Sequence, residues 1–197
     1  MIKKENILVL GDFNDDVSSE MINIIHKSGY FRIKILILPK NNLHLKNKLK
    51  KKFMNTEVFF NGKPHNSKII KDSIKEYKIN LGISTGFKTR LRSSFLSLFK
   101  KRIINFHPSV LPHNKGAHST FWSIINNSKL GATMHYMNDK YDSGDILDQK
   151  ILNHDKTILA DELFNTSRVY CIELLKKNLK NIYNKNIKTK KKLKRFL

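Results

Sequence analysis

Two strand-like runs, Asn6-Ile-Leu-Val-Leu10 closed by Gly11 and Phe31-Arg-Ile-Lys-Ile-Leu-Ile-Leu38 closed by Pro39, flank a segment in which Val17, Met21, Ile24 and Ile25 recur at helical spacing before Gly29. Apolar runs of that length read as buried strands, and the segment between them reads as a crossover helix. A β-α-β unit joins parallel strands, which commits the chain to the α/β class. The alternation continues. A strand at 57–60 precedes the turn Asn61-Gly62-Lys63-Pro64, and Asn66 is placed to cap a helix carrying Ile69, Ile70, Ile74 and Tyr77. Strands at 79–84 and 102–106 bracket a helix at 93–98, and a further helix starts near Ser119. Gly131 opens a strand whose small or polar residues alternate with large ones, and a polar loop at 138–145 leads to a strand at 146–152. Thr157 then caps a helix with Leu163, Tyr170, Cys171, Leu174, Leu175, Leu179 and Ile182 at helical spacing. The pattern predicts one Rossmann-like domain, 1–184, with a mostly parallel twisted sheet and helices on both faces, followed by a basic tail, 185–197. Phe121 and Trp122 are expected in the core, with a sugar- or base-facing position as the alternative.

Charge is the strongest compositional feature: 38 Lys and Arg against 16 Asp and Glu, a formal net charge of +22. The excess is mostly Lys and is spread through the chain, with two clusters standing out, Lys46, Lys48, Lys50, Lys51 and Lys52 and the tail from Lys185 to Arg195. The first cluster reads as a solvated helix face and the second as a frayed terminus, while attraction of an anionic substrate is the functional alternative. No zinc-ligand spacing, RNA-binding aromatic motif or helix-turn-helix signature accompanies the charge, so nucleic acid is not the expected partner. No apolar run approaches the ~20 residues of a membrane span, and the N-terminus lacks signal-peptide character. A cytoplasmic protein is expected, with Cys171 as a core thiol.

In an open parallel sheet, ligands gather beyond the carboxyl ends of the strands. Thr85-Gly86-Phe87 and Asn105-Phe106-His107 fall at such ends, and the loop carrying Asp142 returns toward the sheet. An amide, an imidazole and a carboxylate can together bind a carbonyl oxygen and move a proton. A hydrogen-bonded loop cluster with no catalytic role has the same composition, and spacing alone does not separate the two.

The ordered set Ile104-Asn105-Phe106-His107-Pro108-Ser109-Val110-Leu111-Pro112, Lys115-Gly116, Gly131-Ala132-Thr133 and Tyr141-Asp142-Ser143-Gly144-Asp145 resembles the formyltransferases that use N10-formyltetrahydrofolate. The resemblance runs from about residue 5 to 183 and is strongest over 79–147. It implies that Asn105 hydrogen-bonds the formyl oxygen, that His107 assists charge and proton transfer, and that Asp142 holds His107 or a water and carries the proton. It implies that Gly86, Phe87, Lys88, Thr89, Arg90 and Leu91, with Asn138, Asp139, Lys140 and Tyr141, meet the folate donor. No metal is implied.

Three branches of the family differ in the amine that is formylated. The glycinamide ribonucleotide branch grips phosphate on a small-residue turn after the first strand; here that turn reads Gly11-Asp12-Phe13-Asn14-Asp15-Asp16, whose acids repel phosphate. The methionyl-tRNA branch carries an additional β-barrel domain and an Arg-Gly-Ala-Ala-Pro stretch, neither of which is expected from this sequence. Residues 115–124 look most like enzymes that formylate nucleotide-linked amino sugars for bacterial surface polysaccharide such as lipopolysaccharide. That branch makes His113, Asn114, Lys115, Gly116 and His118 the candidate nucleotide-sugar contacts and leaves a homodimer open. A folate- or nucleic-acid-binding protein without activity is the alternative of a different class.

Overall fold

The crossover unit that opens the chain is present as β1 (Glu5–Gly11), α1 (Asp16–Lys27) and β2 (Phe31–Leu38), with β1 and β2 parallel from Glu5 opposite Phe31 to Leu10 opposite Ile37. The computed structural model describes residues 3–39, 43–100, 102–153 and 159–190, without the side chains of 43, 44 and 46. The chain divides into two compact units, residues 1–104 and 105–197.

In the first unit, β3 (Glu57–Phe60) pairs parallel with β2, and β4 (Leu81–Thr85) pairs parallel with β1. The start of β5 (Ile103–His107) runs beside β4, where the Gly82 N–H donates to the Arg102 carbonyl at 3.0 Å. Strands covered on both sides must be apolar throughout, and Ile7, Leu8, Val9, Leu10, Ile35, Leu36 and Ile37 are fully buried. The helices α1, α2 (Leu43–Lys52), α3 (Lys68–Glu76) and α4 (Ser93–Leu96) complete this unit. In the second unit the end of β5 is followed by α5 (Ser119–Ile125), an antiparallel pair of β6 (Leu130–Tyr136) and β7 (Ile146–Leu152), and α6 (Ala160–Tyr183), which packs on β6 and β7. Among the described residues the hydrogen-bonded strand order is β3-β2-β1-β4-β5-β6-β7, the expected mostly parallel α/β sheet.

Local chemistry explains where the structure departs from the sequence reading. Ser67, not Asn66, caps α3 by accepting from the Ile70 N–H at 3.3 Å, because Pro64-His65-Asn66 forms a 3₁₀ turn of its own. The inward face of α3 is therefore Ile70, Ser73 and Ile74, and Ile69 is turned out, 69% exposed. Asp15 caps α1 through the Ser18 N–H, so the helix begins at Asp16, one residue ahead of Val17, where the apolar spacing starts. The buried stripe of α1 is Ser18, Met21, Ile22 and Ile25, flanked by half-buried Val17 and Ile24.

The core positions expected for Phe121 and Trp122 are incorrect: they are 56% and 47% exposed. Ser119, Thr120 and Ser123 face inward instead. The Ser119 and Thr120 hydroxyls donate to the Pro108 carbonyl, which draws the α5 backbone too close to the loop for a large ring.

Lys48, Lys50, Lys51 and Lys52 form the expected solvated face of α2, with Leu49 buried behind them. The expected Thr157 cap, the Lys46 side chain, and Lys191, Lys192, Lys194 and Arg195 of the tail lie outside the described residues. Lys190 is fastened, in contrast to a frayed terminus: its N–H donates to the Ile146 carbonyl at 2.7 Å and its ammonium to Asp148 at 2.6 Å. Lys177 and Asn178 of α6 bind the other oxygen of Asp148, whose carboxyl these partners hold well below the usual range against the opposing effect of burial. Cys171 is buried, as expected, against the Ser167 carbonyl. No helix among the described residues is long and apolar enough to cross a membrane.

Gly144 folds the loop after β6 back onto that strand. A Cβ at this position would lie 1.6 Å from the Tyr136 carbonyl oxygen, and the Tyr136 N–H closes the return by donating to the Asp145 carbonyl at 2.9 Å. Gly144→Ala must displace backbone on one side or the other. A loss of at least ~2 kcal/mol of stability is expected in denaturant unfolding, and a midpoint equal to that of the parent chain would contradict the close approach.

Candidate functional site

The second unit brings Asn105 and His107, at the end of β5, to Asp142, in the loop that Gly144 returns. His107 is 6% exposed, and its Nδ1 lies 3.5 Å from Asp142 Oδ2. Its Nε2 lies 3.1 Å from the Asn114 carbonyl. A carbonyl only accepts, so Nε2 carries the proton, and the neutral ring turns the Nδ1 lone pair toward the carboxylate. Asn105 Nδ2 lies 3.5 Å from Asp142 Oδ1 and 3.2 Å from His135 Nε2. The Asp142 carboxylate is secured by the Gly116 N–H, which donates to Oδ2 at 2.8 Å.

Backbone conformation supplies this geometry. Gly116 has φ +84°, a region that L side chains rarely adopt, and this turns its N–H onto the carboxylate. Asp142 has φ +43° and Asn114 φ +50°. Aspartate and asparagine tolerate the left-handed region better than most residues, and here both are held there by hydrogen bonds. The Asn114 amide donates to the Ser123 and Ser128 hydroxyls at 2.8 and 2.5 Å, which aims the Asn114 carbonyl at His107. Lys115 Nζ reaches Ser143 Oγ at 3.0 Å, a second tie between the two loops.

Asn105, His107, Asp142, Asn114 and Gly116 thus form one connected group, with Lys115 at its margin. His113 and His118 are exposed, and the His118 side chain does not cap α5. In the loop at 138–142, Asn138 Oδ1 accepts the Lys140 N–H at 3.0 Å, while Asp139, Lys140 and Tyr141 are exposed. Gly86 to Leu91 belong to the first unit and follow β4: Gly86 has φ +81°, Phe87 and Leu91 are buried anchors, Thr89 is half-buried, and Lys88 and Arg90 are exposed. Also in the first unit, the turn after β1 is closed on itself. Asp12 Oδ1 accepts the Asn14 N–H, Asp15 accepts the Ser18 N–H, and Ser18 Oγ accepts the Asp12 N–H.

His135 is the member of the group that sequence reading missed. It is 1% exposed on β6, with Nδ1 2.8 Å from the Tyr136 carbonyl and Nε2 3.4 Å from Asp142 Oδ1. The signal was its phase: Gly131, Thr133 and His135 alternate with Ala132 and Met134, which puts His135 on the face of Thr133. Among the described residues no cluster of His, Cys, Asp or Glu side chains is arranged to hold a metal ion.

Burial pushes His107 below the ordinary imidazole value, against the upward pull of Asp142 and the Asn114 carbonyl. Burial would raise Asp142, but neighbouring His135 and His107 and the Gly116 N–H outweigh it and hold the carboxyl below the usual range. A neutral imidazole beside an ionised carboxylate is suited to taking up a proton, and an adjacent amide to binding a carbonyl oxygen.

Both shifts make folding sensitive to acid. A histidine whose pKa lies below its unfolded value of 6.5 binds fewer protons folded than unfolded, so its contribution is lost as pH falls through and below 6.5. A depressed carboxylate contributes above its unfolded value of 3.8 and loses this as pH falls through its folded value. The melting temperature should drop between about pH 7 and pH 5, and drop less in His107→Gln. Parallel pH profiles for the two proteins would contradict a buried neutral His107.

A family model described as formyl transferase matches residues 7–168. Over 84 residues, 42% of this chain, the sequence is 38% identical to a GDP-perosamine N-formyltransferase from Brucella melitensis, a stretch spanning 32% of that protein. Over 116 residues, 58% of this chain, it is 34% identical to a methionyl-tRNA formyltransferase from Clostridioides difficile, spanning 38% of that protein. The chain therefore spans about a third of the length of the curated relatives it matches. A phosphoribosylglycinamide formyltransferase from Anaplasma phagocytophilum superposes with a TM-score of 0.79 over 94% of this chain and 90% of that one, at 21% identity, a likeness of fold.

Proposed function

This chain belongs to the formyl transferase family, and from that premise we propose that it transfers the formyl group of N10-formyltetrahydrofolate to the amine of a nucleotide-linked amino sugar. The observation that carries the reading is the convergence of Asn105, His107 and Asp142, with one carboxylate bound by two loops. The donor supplies an activated one-carbon acyl group; everything else asked of the site is positioning and proton movement.

The residues fit that chemistry. When an amine nitrogen bonds to the formyl carbon and the bond from that carbon to the folate nitrogen breaks, a proton must leave the amine and one must reach the folate nitrogen. Asp142 is ionised and partly accessible, and takes the first proton. His107 Nδ1, 3.5 Å away, shares it because its lone pair already faces the carboxylate. The pair then returns the proton to the leaving nitrogen. The Asn105 amide hydrogen held loosely, at 3.5 Å from Asp142, is the one free to turn to the formyl oxygen as charge develops there. The exposed polar backbone and side chains of 86–91 and 138–141 are the assigned donor contacts, and His113, Lys115 and His118 the assigned contacts to the acceptor's phosphates, with Asn114 and Gly116 holding the loop between them.

Two observations favour an amino-sugar acceptor. The GDP-perosamine N-formyltransferase is similar to this chain at 38% identity. The turn after β1 fills its own N–H groups with Asp12, Asp15 and Ser18, which argues against a phosphate there and against a glycinamide ribonucleotide acceptor. The longer match to a methionyl-tRNA formyltransferase and the net charge of +22 keep tRNA as the second reading.

The test is incubation with N10-formyltetrahydrofolate and amino-sugar nucleotides, glycinamide ribonucleotide or methionyl-tRNA, with tetrahydrofolate release and product mass as readouts. Formylation of an amino-sugar nucleotide is expected, and transfer to methionyl-tRNA alone would replace the acceptor assignment. His107→Ala and Asp142→Ala should fold and lose roughly 10²- to 10⁴-fold in turnover; near-parental rates in both would remove the assigned roles.

A further inference from the structure

We propose that Ser123 and Ser128 are positioning residues of this site, setting the tautomer of His107 through Asn114; the proposal rests on the formyl-transfer reading above. The chain of contacts begins inside α5. The Ser123 hydroxyl donates to the Ser119 carbonyl at 2.9 Å, so its oxygen is left to accept, and it takes one hydrogen of the Asn114 amide at 2.8 Å. Ser128, whose N–H is fastened to the Ser123 carbonyl at 2.9 Å, takes the other at 2.5 Å. Asn114 Oδ1 accepts from the Asn126 amide at 3.2 Å, so every polar atom of the side chain is engaged. A fully satisfied amide holds one arrangement. Here it holds Asn114 at φ +50° with its carbonyl 3.1 Å from His107 Nε2.

That carbonyl decides a competition for the one proton of a neutral ring. Burial keeps His107 below the ordinary imidazole value, so near neutral pH one ring nitrogen carries a proton and the other a lone pair. Nδ1 faces the ionised Asp142 carboxylate at 3.5 Å, and a charge-assisted hydrogen bond would draw the proton there. The Asn114 carbonyl is closer and can only accept. A lone pair on Nε2 would face it at 3.1 Å, so the proton stays on Nε2. Turning the Asn114 carbonyl away removes this opposition and releases the proton to Nδ1. His107 then cannot share the proton that Asp142 takes from the amine, because the nitrogen beside the carboxylate is already occupied. The two serines act through Asn114 and His107, with no substrate contact required.

The test uses the whole chain without ligands and reads the His107 ring, assigned through His107→Gln, by long-range ¹H–¹⁵N correlation near neutral pH. Parent, Ser123→Ala/Ser128→Ala and Ser128→Thr are compared, with kcat and KM measured in parallel. In the parent the proton should sit on Nε2, and Ser128→Thr, which keeps the hydroxyl, should match it. In the folded double variant the proton should move to Nδ1, with kcat lowered roughly 10- to 100-fold and KM for the donor within about twofold. An unchanged ring pattern in that variant would overturn the proposal, since the Ser109 hydroxyl, which donates to the His113 carbonyl at 3.2 Å, would then suffice to hold the loop. If the double variant does not fold, Asn114→Gly decides, because glycine keeps the positive φ and lacks the amide: a proton moved to Nδ1 supports the role, and the parental pattern refutes it. A shifted tautomer with parental kcat would also refute it as a positioning role. A shifted tautomer in a protein that formylates no acceptor would leave the control of His107 intact and sink the reaction instead.

Discussion

The Asp142 carboxylate is the point on which the second unit's functional loops converge. Gly116 donates to one of its oxygens at 2.8 Å, His107 faces the same oxygen, and Asn105 and His135 face the other. A carboxylate withdrawn from water needs such partners, since the cost of burying its charge is offset only by donors and by polar groups turned toward it. The loop after β5 and the loop after β6 are therefore tied together by the requirement of one charged group. Removing the charge would leave the Gly116 N–H facing a weaker acceptor, which is why the conformation of 113–118 and the chemistry of the site are one problem.

Around that point the protein is stiffened by hydroxyls. Thr133 Oγ1 donates to the Ser109 carbonyl at 2.6 Å and accepts the Leu111 N–H at 3.0 Å, and Gln149 bridges Thr133 and Leu111 from β7. Buried, satisfied networks of this kind specify one arrangement of a loop that apolar packing alone would leave loose. Asp148, the neighbour of Gln149 in β7, does the same, with Lys177 and Lys190 binding its two oxygens. Part of the basic excess thus has a structural use, while Lys48, Lys50, Lys51 and Lys52 stay in solvent.

Elements whose identity depends on local pattern were legible from residues alone. The strands at 31–38, 57–60 and 146–152 fall where apolar runs and turn residues put them, and Asn105, His107 and Asp142 meet as their positions at strand and loop ends suggested. What was not legible depends on tertiary distance. Nothing in the spacing of Phe121 and Trp122 says that two hydroxyls would draw α5 onto Pro108 and expel both rings. His135 resembled a filler of a half-buried strand because its partners, Asn105 and Asp142, come from other parts of the chain. The cap at Ser67 prevailed over Asn66 because Pro64 starts a separate turn, a competition decided by backbone geometry.

The arrangement of protons around Asp142 is the claim to test most directly, by long-range ¹H–¹⁵N correlation of the histidine rings near neutral pH. A site centred on an ionised carboxylate beside a neutral His107 requires that ring to be protonated at Nε2, with its pattern perturbed in Asp142→Asn. A doubly protonated His107, the reverse tautomer, or ring signals indifferent to Asp142→Asn would contradict it.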